Sequence, residues 1–321
     1  MAIVNMKKVI KKISDQLINQ GIKCRIVSSR HVKDLQNEIE AEHAQGLLAE
    51  EFYKERLKFY QFSLPEGFSS GESLIVVAIP RPQTPMNFSW NGKKLSLILP
   101  PTYAKYSEIN RQVGGLLSEV LAPEGYRVAQ ALLPLKLLAV RSGLAEYGRN
   151  NIGYISGMGS FFQLAAYYSD MPCQEDTWQD PVMMERCKTC QACMIKCPTG
   201  AIAPDRFLLH AERCLVFHNE RSSSYQFPNW IGPEMHNCLM GCMLCQRYCP
   251  EDKPFLEWFE ESQDFDDDET SLLMKGSTLD RLPAKTGKKL DRLELINDID
   301  KFPRNLGVFL GQRLEEFISR K

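Results

Sequence analysis

Nine of the eleven cysteines in this chain of 321 residues lie between Cys187 and Cys249, and that crowding constrains the fold more than any other feature. Cysteines that served as disulfides would be spread over a secreted scaffold, whereas cysteines gathered into one short stretch point to metal. The first four read Cys187-x2-Cys190-x2-Cys193-x3-Cys197 and run into Pro198. Three thiolates on one tight loop can each reach a different iron of a cubane. The fourth, on the next turn before a proline, projects toward a second cubane. A structural zinc site would instead separate two C-x2-C pairs by a longer stretch.

A second run, Cys242-x2-Cys245-x3-Cys249 before Pro250, repeats the end of that pattern, but Leu239 stands where its opening cysteine belongs. Together the two runs resemble the bacterial two-cluster ferredoxin pattern and imply a ferredoxin-like module with two 4Fe-4S clusters. Crossed ligation gives Cys187, Cys190, Cys193 and Cys249 to one cluster. Cys197, Cys242 and Cys245 go to the other, whose fourth ligand is either Cys214 or Cys238. Cubanes held by four cysteines keep no open position for substrate, so the module is expected to move electrons. Of the remaining cysteines, Cys24 falls in an apolar strand and Cys173 has no recognisable partner. The five histidines form no metal-spaced pair.

The chain is long enough, and at 44% hydrophobic and 25% charged apolar enough, to bury a core. Before the cysteines it reads as an α/β domain. Val9, Ile10, Ile13, Leu17 and Ile18 recur at helical spacing up to Gly21, Cys24 to Val27 suggests a strand, and the charged stretch from His31 to Tyr60 suggests surface helices. Ser73 to Ile79, between Gly71 and Pro80, reads as a buried strand, and Lys93 to Leu99 as another after an Asn91-Gly92 turn. Arg81-Pro82-Gln83-Thr84-Pro85 is expected to be a stiff loop without regular structure. Ser107 to Leu121 reads as a helix, Tyr126 to Leu133 as a strand leading through Pro134 into a helix that ends near Gly143. The glycine-rich stretch Tyr147 to Ser160 reads as an irregular loop, and Phe161 to Tyr168 as a strand or buried helix. Gly157-x-Gly159 lacks the rest of a dinucleotide fingerprint. Beyond the cysteines, Asp264 to Glu269 reads as a solvated helix start. Two or three amphipathic helices then follow through Leu290, Leu293, Leu295, Ile296, Leu306, Val308, Phe309, Leu314 and Phe317. The expected organisation is α+β: residues 1–180 an α/β domain, 181–252 the double-cluster module, 253–321 a helical tail.

A net charge of −1 and a pI near 6.5 give a nucleic-acid partner no bulk electrostatic footprint, and none is expected. The apolar runs Leu74–Ile79 and Leu132–Val140 are too short to span a bilayer, and the N-terminus lacks an export core. A cytoplasmic location without a membrane partner follows as the expectation.

Beyond the cysteine spacing, several stretches carry a resemblance. They are Arg141-Ser142-Gly143-Leu144, Gly159-Ser160-Phe161-Phe162 with Ser169-Asp170-Met171-Pro172, the run from Cys187 to Ile202 ending Cys-Pro-Thr-Gly-Ala-Ile, Arg213-Cys214, and Gly241-Cys242 onward. Over about residues 125–252 the chain resembles the cobalamin-dependent epoxyqueuosine reductases and their relatives, which share a double-cluster module with reductive dehalogenases. The resemblance implies a nitroreductase-like domain holding a base-off cobalamin beside the nearer cluster, with Arg141, Gly143, Ser160, Phe161 and Phe162 around it. It also implies Cys214 as the missing ligand and a low-potential electron donor such as ferredoxin or flavodoxin. The aspartate that serves that family as proton donor has no counterpart, because Gly125 to Ala145 contains no Asp or Glu. The family's Gly-Trp-Ile-Gly-Lys-Asn reads Ala145-Glu146-Tyr147-Gly148-Arg149-Asn150, and its C-terminal helical extension is reduced or missing. The proton source is then sought among Tyr147 beside Arg149, Tyr126 with Lys136, Lys136 itself and Arg141. Two functional readings result: a corrinoid-dependent reductase of an unidentified small-molecule substrate, and an electron-transfer or interaction protein with two clusters and no cobalamin.

Overall fold

The computed structural model describes residues 2–69 and 72–311, so Gly71, Leu314 and Phe317 lie outside the described residues. Helix α1 (Ala2–Ile18) leads into strand β1 (Lys23–Ser28), helices α2 (Val32–Ala44) and α3 (Glu50–Arg56), and strand β2 (Glu72–Pro80). A hairpin of β3 (Thr84–Trp90) and β4 (Lys93–Leu99) precedes α4 (Tyr106–Leu121), β5 (Val128–Gln130) and α5 (Leu135–Arg141). The short β6 (Glu146–Tyr147) and β7 (Gly153–Tyr154) and the long β8 (Phe162–Pro172) follow. Through the cysteine region only short helices form: α6 (Ala192–Lys196), α7 (Leu215–Asn219) and α8 (Leu244–Arg247). The chain ends in β9 (Gln263–Phe265), α9 (Asp267–Met274), α10 (Ala284–Leu293) and α11 (Phe302–Leu310). Among the described residues no helix is long and apolar enough to cross a membrane.

Two compact units form. The first comprises Met1–Arg81, Ser107–Gln191 and Arg206–Leu208; the second comprises Pro82–Tyr106, Ala192–Asp205 and Leu209–Lys321.

In the first unit a four-stranded sheet runs β1-β2-β8-β5. Every pairing is antiparallel, although strands and helices alternate along the sequence. The unbroken apolar run of β2 has its cause here. Leu74, Val76 and Ala78 face one core, shared with Val32 and Leu35 of α2 and with Leu138, Ala139 and Val140 of α5. Ile75, Val77 and Ile79 face the other, shared with Val9, Ile13 and Leu17 of α1 and Ile109, Val113 and Leu117 of α4. A strand covered on both faces has no position left for the polar half of an alternating pattern. Of the stretch Phe161 to Tyr168, all but Phe161 falls in a strand, as part of β8, whose long pairing with β2 anchors the sheet.

In the second unit β3 lies between β4, antiparallel, and β9, parallel. Residues Thr84 and Pro85, expected in a loop, begin β3. The parallel pairing is a lone bridge from Gln83 to Phe259 and resumes only at Met86 opposite Gln263. The gap falls on Pro85, which has no N–H to donate. Asn91 and Gly92 form the expected turn, both in the left-handed region. The acidic run does start a helix: Asp266 caps α9 and exchanges hydrogen bonds with Glu269 in a capping box. Glu269 itself is not solvated. It is fully buried and accepts from Thr286 Oγ1 at 2.7 Å and from Lys289 Nζ at 2.7 and 2.9 Å.

Among the described residues Arg304 of α11 is the largest fully buried side chain. Its guanidinium donates to the carbonyls of Asn219, Arg221, Ser222 and Tyr225 at 2.8–3.1 Å and to Asn305 Oδ1 at 3.0 Å, and it sits 4.4 Å from the Phe227 ring centre. A methionine there would fill much of the space but withdraw the guanidinium's donors from four carbonyls, leaving Asn219 O with Asn305 and Ser222 O with the Tyr225 N–H. Arg304→Met is expected to cost about 3 kcal/mol or more, read as a lowered urea midpoint; a change below about 0.5 kcal/mol would show that water replaces the guanidinium without loss.

Candidate metal centres

The boundary between the two units falls at Gln191/Ala192, inside the first cysteine motif. Cys187 and Cys190 belong to the first unit; Cys193, Cys197, Cys214, Cys242, Cys245 and Cys249 belong to the second. All eleven cysteines are free of disulfides.

In the first unit Cys187 is buried in a single 3-10 turn, Glu185–Lys188, and its N–H is bonded to Met184 O. So tight a turn leaves carbonyls without helical partners. Arg149 supplies donors for them: its guanidinium reaches Cys187 O at 2.6 and 3.2 Å, Cys190 O at 3.1 Å and Lys188 O at 3.4 Å. The basic residue in the Ala145–Asn150 stretch is therefore spent on the cysteine loop, not on its neighbour Tyr147.

In the second unit the thiols of Cys197, Cys214 and Cys242 gather. Burial pushes Cys214 up to about 12, and the nearby Cys242 and Cys197 add to that rise. Burial also raises Cys242, with Cys197 again contributing. Thiols so placed strongly resist ionising one against another, and a bound cation removes the resistance by neutralising them together. This donor set fits a cluster. Cys238 is buried as well and is pushed up to about 12 by burial and then by Cys242. Gly241, directly before Cys242, has φ +72°, and a Cβ there would stand 2.7 Å from the Tyr103 hydroxyl. Among the described residues no three His, Cys, Asp or Glu side chains crowd together as they would around one ion; a cubane spreads its four thiolates over four irons.

The other sequence-derived candidates lie in the first unit. Lys136 Nζ donates to Asn151 Oδ1 at 2.9 Å and lies 6.0 Å from the Tyr147 ring centre. Tyr147 is buried, meets Phe207 edge-on at 5.0 Å, and has its hydroxyl pKa raised by burial and then by Glu38 and Glu42. Tyr126 does not join Lys136: it packs against the α1–α4 core, on the opposite face of the sheet from α5. Arg141 is held by Glu38 at 2.6 and 2.9 Å and by Asp180 at 2.9 Å, beside an open depression of about 420 Å³ lined by Asp34, Asn37, Glu38, Arg141 and Trp178. Gly143 adopts φ +72° just past the end of α5, where an added Cβ would meet the Gln179 side chain. Ser160, Phe161 and Phe162 are at most 6% exposed, and Phe162 belongs to the α2–α5 core.

Two residues escaped the sequence reading. Burial, then Glu38, pushes the Glu42 carboxyl up from 4.5 to about 7, against the pull of Lys136. The signal was present, since Glu38 and Glu42 stand one turn apart on α2, and like charges at that spacing repel. Asn151 holds φ +58° and is 7% exposed, with no hydrogen-bond partner for its Nδ2.

Residues 186–252 match the family model of the 4Fe-4S double cluster binding domain, which supports two such clusters. The chain is 35% identical over 115 residues to the epoxyqueuosine reductase of Leadbetterella byssophila, covering 36% of each protein. It is 31% identical over 206 residues to that of Alicycliphilus denitrificans, covering 62% of this chain and 54% of the relative. The matched stretches thus span between about a third and just over half of these relatives' length. By structure, the epoxyqueuosine reductase of Bacillus subtilis aligns over 97% of this chain and 82% of its own, with TM-score 0.67 and 18% identity. That of Streptococcus thermophilus aligns over 99% and 85%, with TM-score 0.66 and 17% identity. A further epoxyqueuosine reductase structure, solved with an epoxyqueuosine-modified tRNA-Tyr stem loop, gives 0.66 and 19%. The resemblance read from the motifs is thereby borne out in sequence and, by the structural likeness, in fold.

Protein reconstituted without oxygen is expected to hold about eight irons, four per cubane, and Cys193→Ala to hold fewer, by iron and acid-labile sulfide analysis. Tightly bound zinc without sulfide would refute the cluster reading. Cys214→Ala should lose one paramagnetic cluster signal and Cys238→Ala neither; the reverse would make Cys238 the ligand. Glu42 yields a pH prediction. Its folded form binds a proton more tightly than the unfolded form, so stability falls as pH rises from about 4.5 through about 7. Glu42→Gln should remove about 1–2 kcal/mol of that fall, allowing for the group's partial exposure. Denaturant midpoints at pH 5 and pH 8 measure it, and an unchanged slope would refute the shift.

Proposed function

We propose that this chain is an iron-sulfur oxidoreductase that takes electrons from a low-potential donor of the ferredoxin or flavodoxin kind. It relays them through two 4Fe-4S clusters, and a cobalamin, which the resemblance implies, would supply the centre at which the substrate is reduced. The observation that carries the reading is the double-cluster segment at residues 186–252, in a chain whose fold follows that of epoxyqueuosine reductases along nearly its whole length. One cluster takes Cys187, Cys190, Cys193 and Cys249, the other Cys197, Cys214, Cys242 and Cys245. Residues 1–81 and 107–180 carry the acceptor side and 181–252 the relay, while 82–106, expected in the α/β domain, belong with 253–321 to the second unit.

Cubanes pass single electrons, and cobalamin would supply a centre that collects them for a two-electron reduction. The side chains nominated to contact it are a poor fit for that role. Ser160, Phe161 and Phe162 are buried, Phe162 within the α2–α5 core, and Arg141 is bound by two carboxylates. The cobalamin part of the proposal therefore rests on the resemblance. The proton falls to the group formed by Glu42, Lys136 and Tyr147 instead of Arg141. Glu42 keeps its proton up to about pH 7 and Lys136 lies close enough to influence it, which suits a general acid working near neutrality. A modified nucleic acid joins small molecules as a substrate class, in keeping with the names of the relatives.

Hydroxocobalamin titrated into protein with both clusters intact should give a saturable change in the cobalamin absorption bands at micromolar protein. A low-potential reductant should then take the bound cobalt to its cobalt(I) state. No saturable change in such a sample would overturn the cobalamin step and leave an electron-transfer protein.

A further inference from the structure

We infer that Asn237 is a positioning residue for one cluster: its side-chain amide donates a hydrogen bond to the sulfur of Cys242 and so raises the reduction potential of the cluster that Cys242 binds. Asn237 Nδ2 lies 3.1 Å from Cys242 Sγ. The two ends of an asparagine amide are told apart only by their partners, and here the partners decide. Asn237 Oδ1 accepts from the backbone N–H of Met243 at 2.8 Å, a group that can only donate. The Cys238 thiol also donates to Oδ1, at 3.3 Å. With both donors on the oxygen, the NH2 end must face Cys242. One of its hydrogens points to that sulfur, and the other has only a long contact, 3.5 Å, to Met235 O. The arrangement gives Cys238 a task other than ligation: a buried thiol that helps hold the amide in place.

A coordinated thiolate has no proton and can only accept. Thr199 Oγ1, 3.6 Å from Cys197 Sγ, is then obliged to donate as well, so two cysteines assigned to the same cluster each receive a side-chain hydrogen bond. Reduction adds negative charge to a cubane and its sulfurs. A donor aimed at one of those sulfurs is bound more strongly in the reduced state than in the oxidised one, and hydrogen bonding to sulfur is among the factors that set cluster potentials. Both Asn237 and Cys242 are only partly exposed, which limits the screening of that interaction by water.

The inference rests on Cys242 being a cluster ligand, and the experiment separates the two. In Asn237→Asp the oxygen facing Met243 N–H is kept and the donor is lost; in Asn237→Ala both are lost. For variants that retain the full iron content, redox titration followed by paramagnetic resonance should find one midpoint lowered and the other unchanged. At a fixed potential the reduced-to-oxidised ratio of the affected cluster should fall about tenfold, ~59 mV for a one-electron couple. Two unchanged midpoints at full iron would overturn the inference. Should both variants lose iron, wild-type protein carrying ¹⁵N only in asparagine side-chain amides decides the matter: pulsed resonance of the reduced clusters should detect a weak ¹⁵N coupling at one of them, and its absence overturns the inference. If Cys242→Ala retains both clusters with unchanged spectra, it is the ligand assignment that fails.

Discussion

A cysteine loop that wraps a cluster cannot also be a regular helix or strand, and its unpaired backbone carbonyls are the constraint to which much of the surrounding structure answers. Each buried carbonyl left without a donor is costly, and the chain satisfies many of them with guanidinium and amide groups sent from elsewhere in the same unit. Arg149 covers the loop of Cys187 and Cys190. In the second unit Arg304 covers four carbonyls between Asn219 and Tyr225, and Asn305 adds bonds to Asn219 O and Leu239 O. Asn219 and Gly241 close the set with a reciprocal pair at 2.6 and 3.0 Å. An arginine suits the task because one rigid fork presents five donors, which a lysine on a flexible stem cannot match.

These clamps also bear on the thiols. Burial disfavours the charged form of Cys214 and Cys242, so as the proposed ligands they must give up protons against a penalty when a cluster is inserted. Fixing the backbone in advance removes part of the entropic cost of assembling the ligands, and donors such as Asn237 lower the cost of the charge that remains. The same residues thus serve assembly and potential, because both depend on how well negative sulfur is tolerated in a partly buried site.

Much of this was legible in the sequence, and what was not has identifiable causes. Helical spacing gave α1 and α4, the apolar run gave β2, and the Asn91-Gly92 turn gave the β3–β4 hairpin, because each depends on near neighbours. The start of β3 at Thr84 was hidden, since the gap in the parallel pairing that admits Pro85 is set by Gln263 and Phe259, far along the chain. Antiparallel pairing was equally hidden, being a property of connections and not of strands. The cysteines announced their chemistry by spacing alone. Arg304, Asn237 and Arg149 did not, for a donor to a distant carbonyl or sulfur leaves no local pattern, and the burial of Ser160 to Phe162 looks in sequence like an aromatic surface available to a ligand.

The group formed by Glu42, Lys136 and Tyr147 follows from the same double-sided sheet that defines the first unit. Val32, Leu35 and Ile39 of α2 point inward, and Val32 and Leu35 share with Leu138, Ala139 and Val140 of α5 the core on that face of β2. Helical periodicity then fixes where the remaining side chains of those helices can go. Glu38 and Glu42, one turn apart, are turned toward Arg141 and Lys136 of α5 and toward Tyr147 just beyond it. Arg141 takes Glu38, which leaves Glu42 with a like-charged neighbour and a partly dry setting, the two conditions that raise a carboxyl pKa. A chain with no acid between Gly125 and Ala145 therefore still offers an acid beside α5, contributed by a helix about a hundred residues earlier and held by the packing of the core instead of by a local motif.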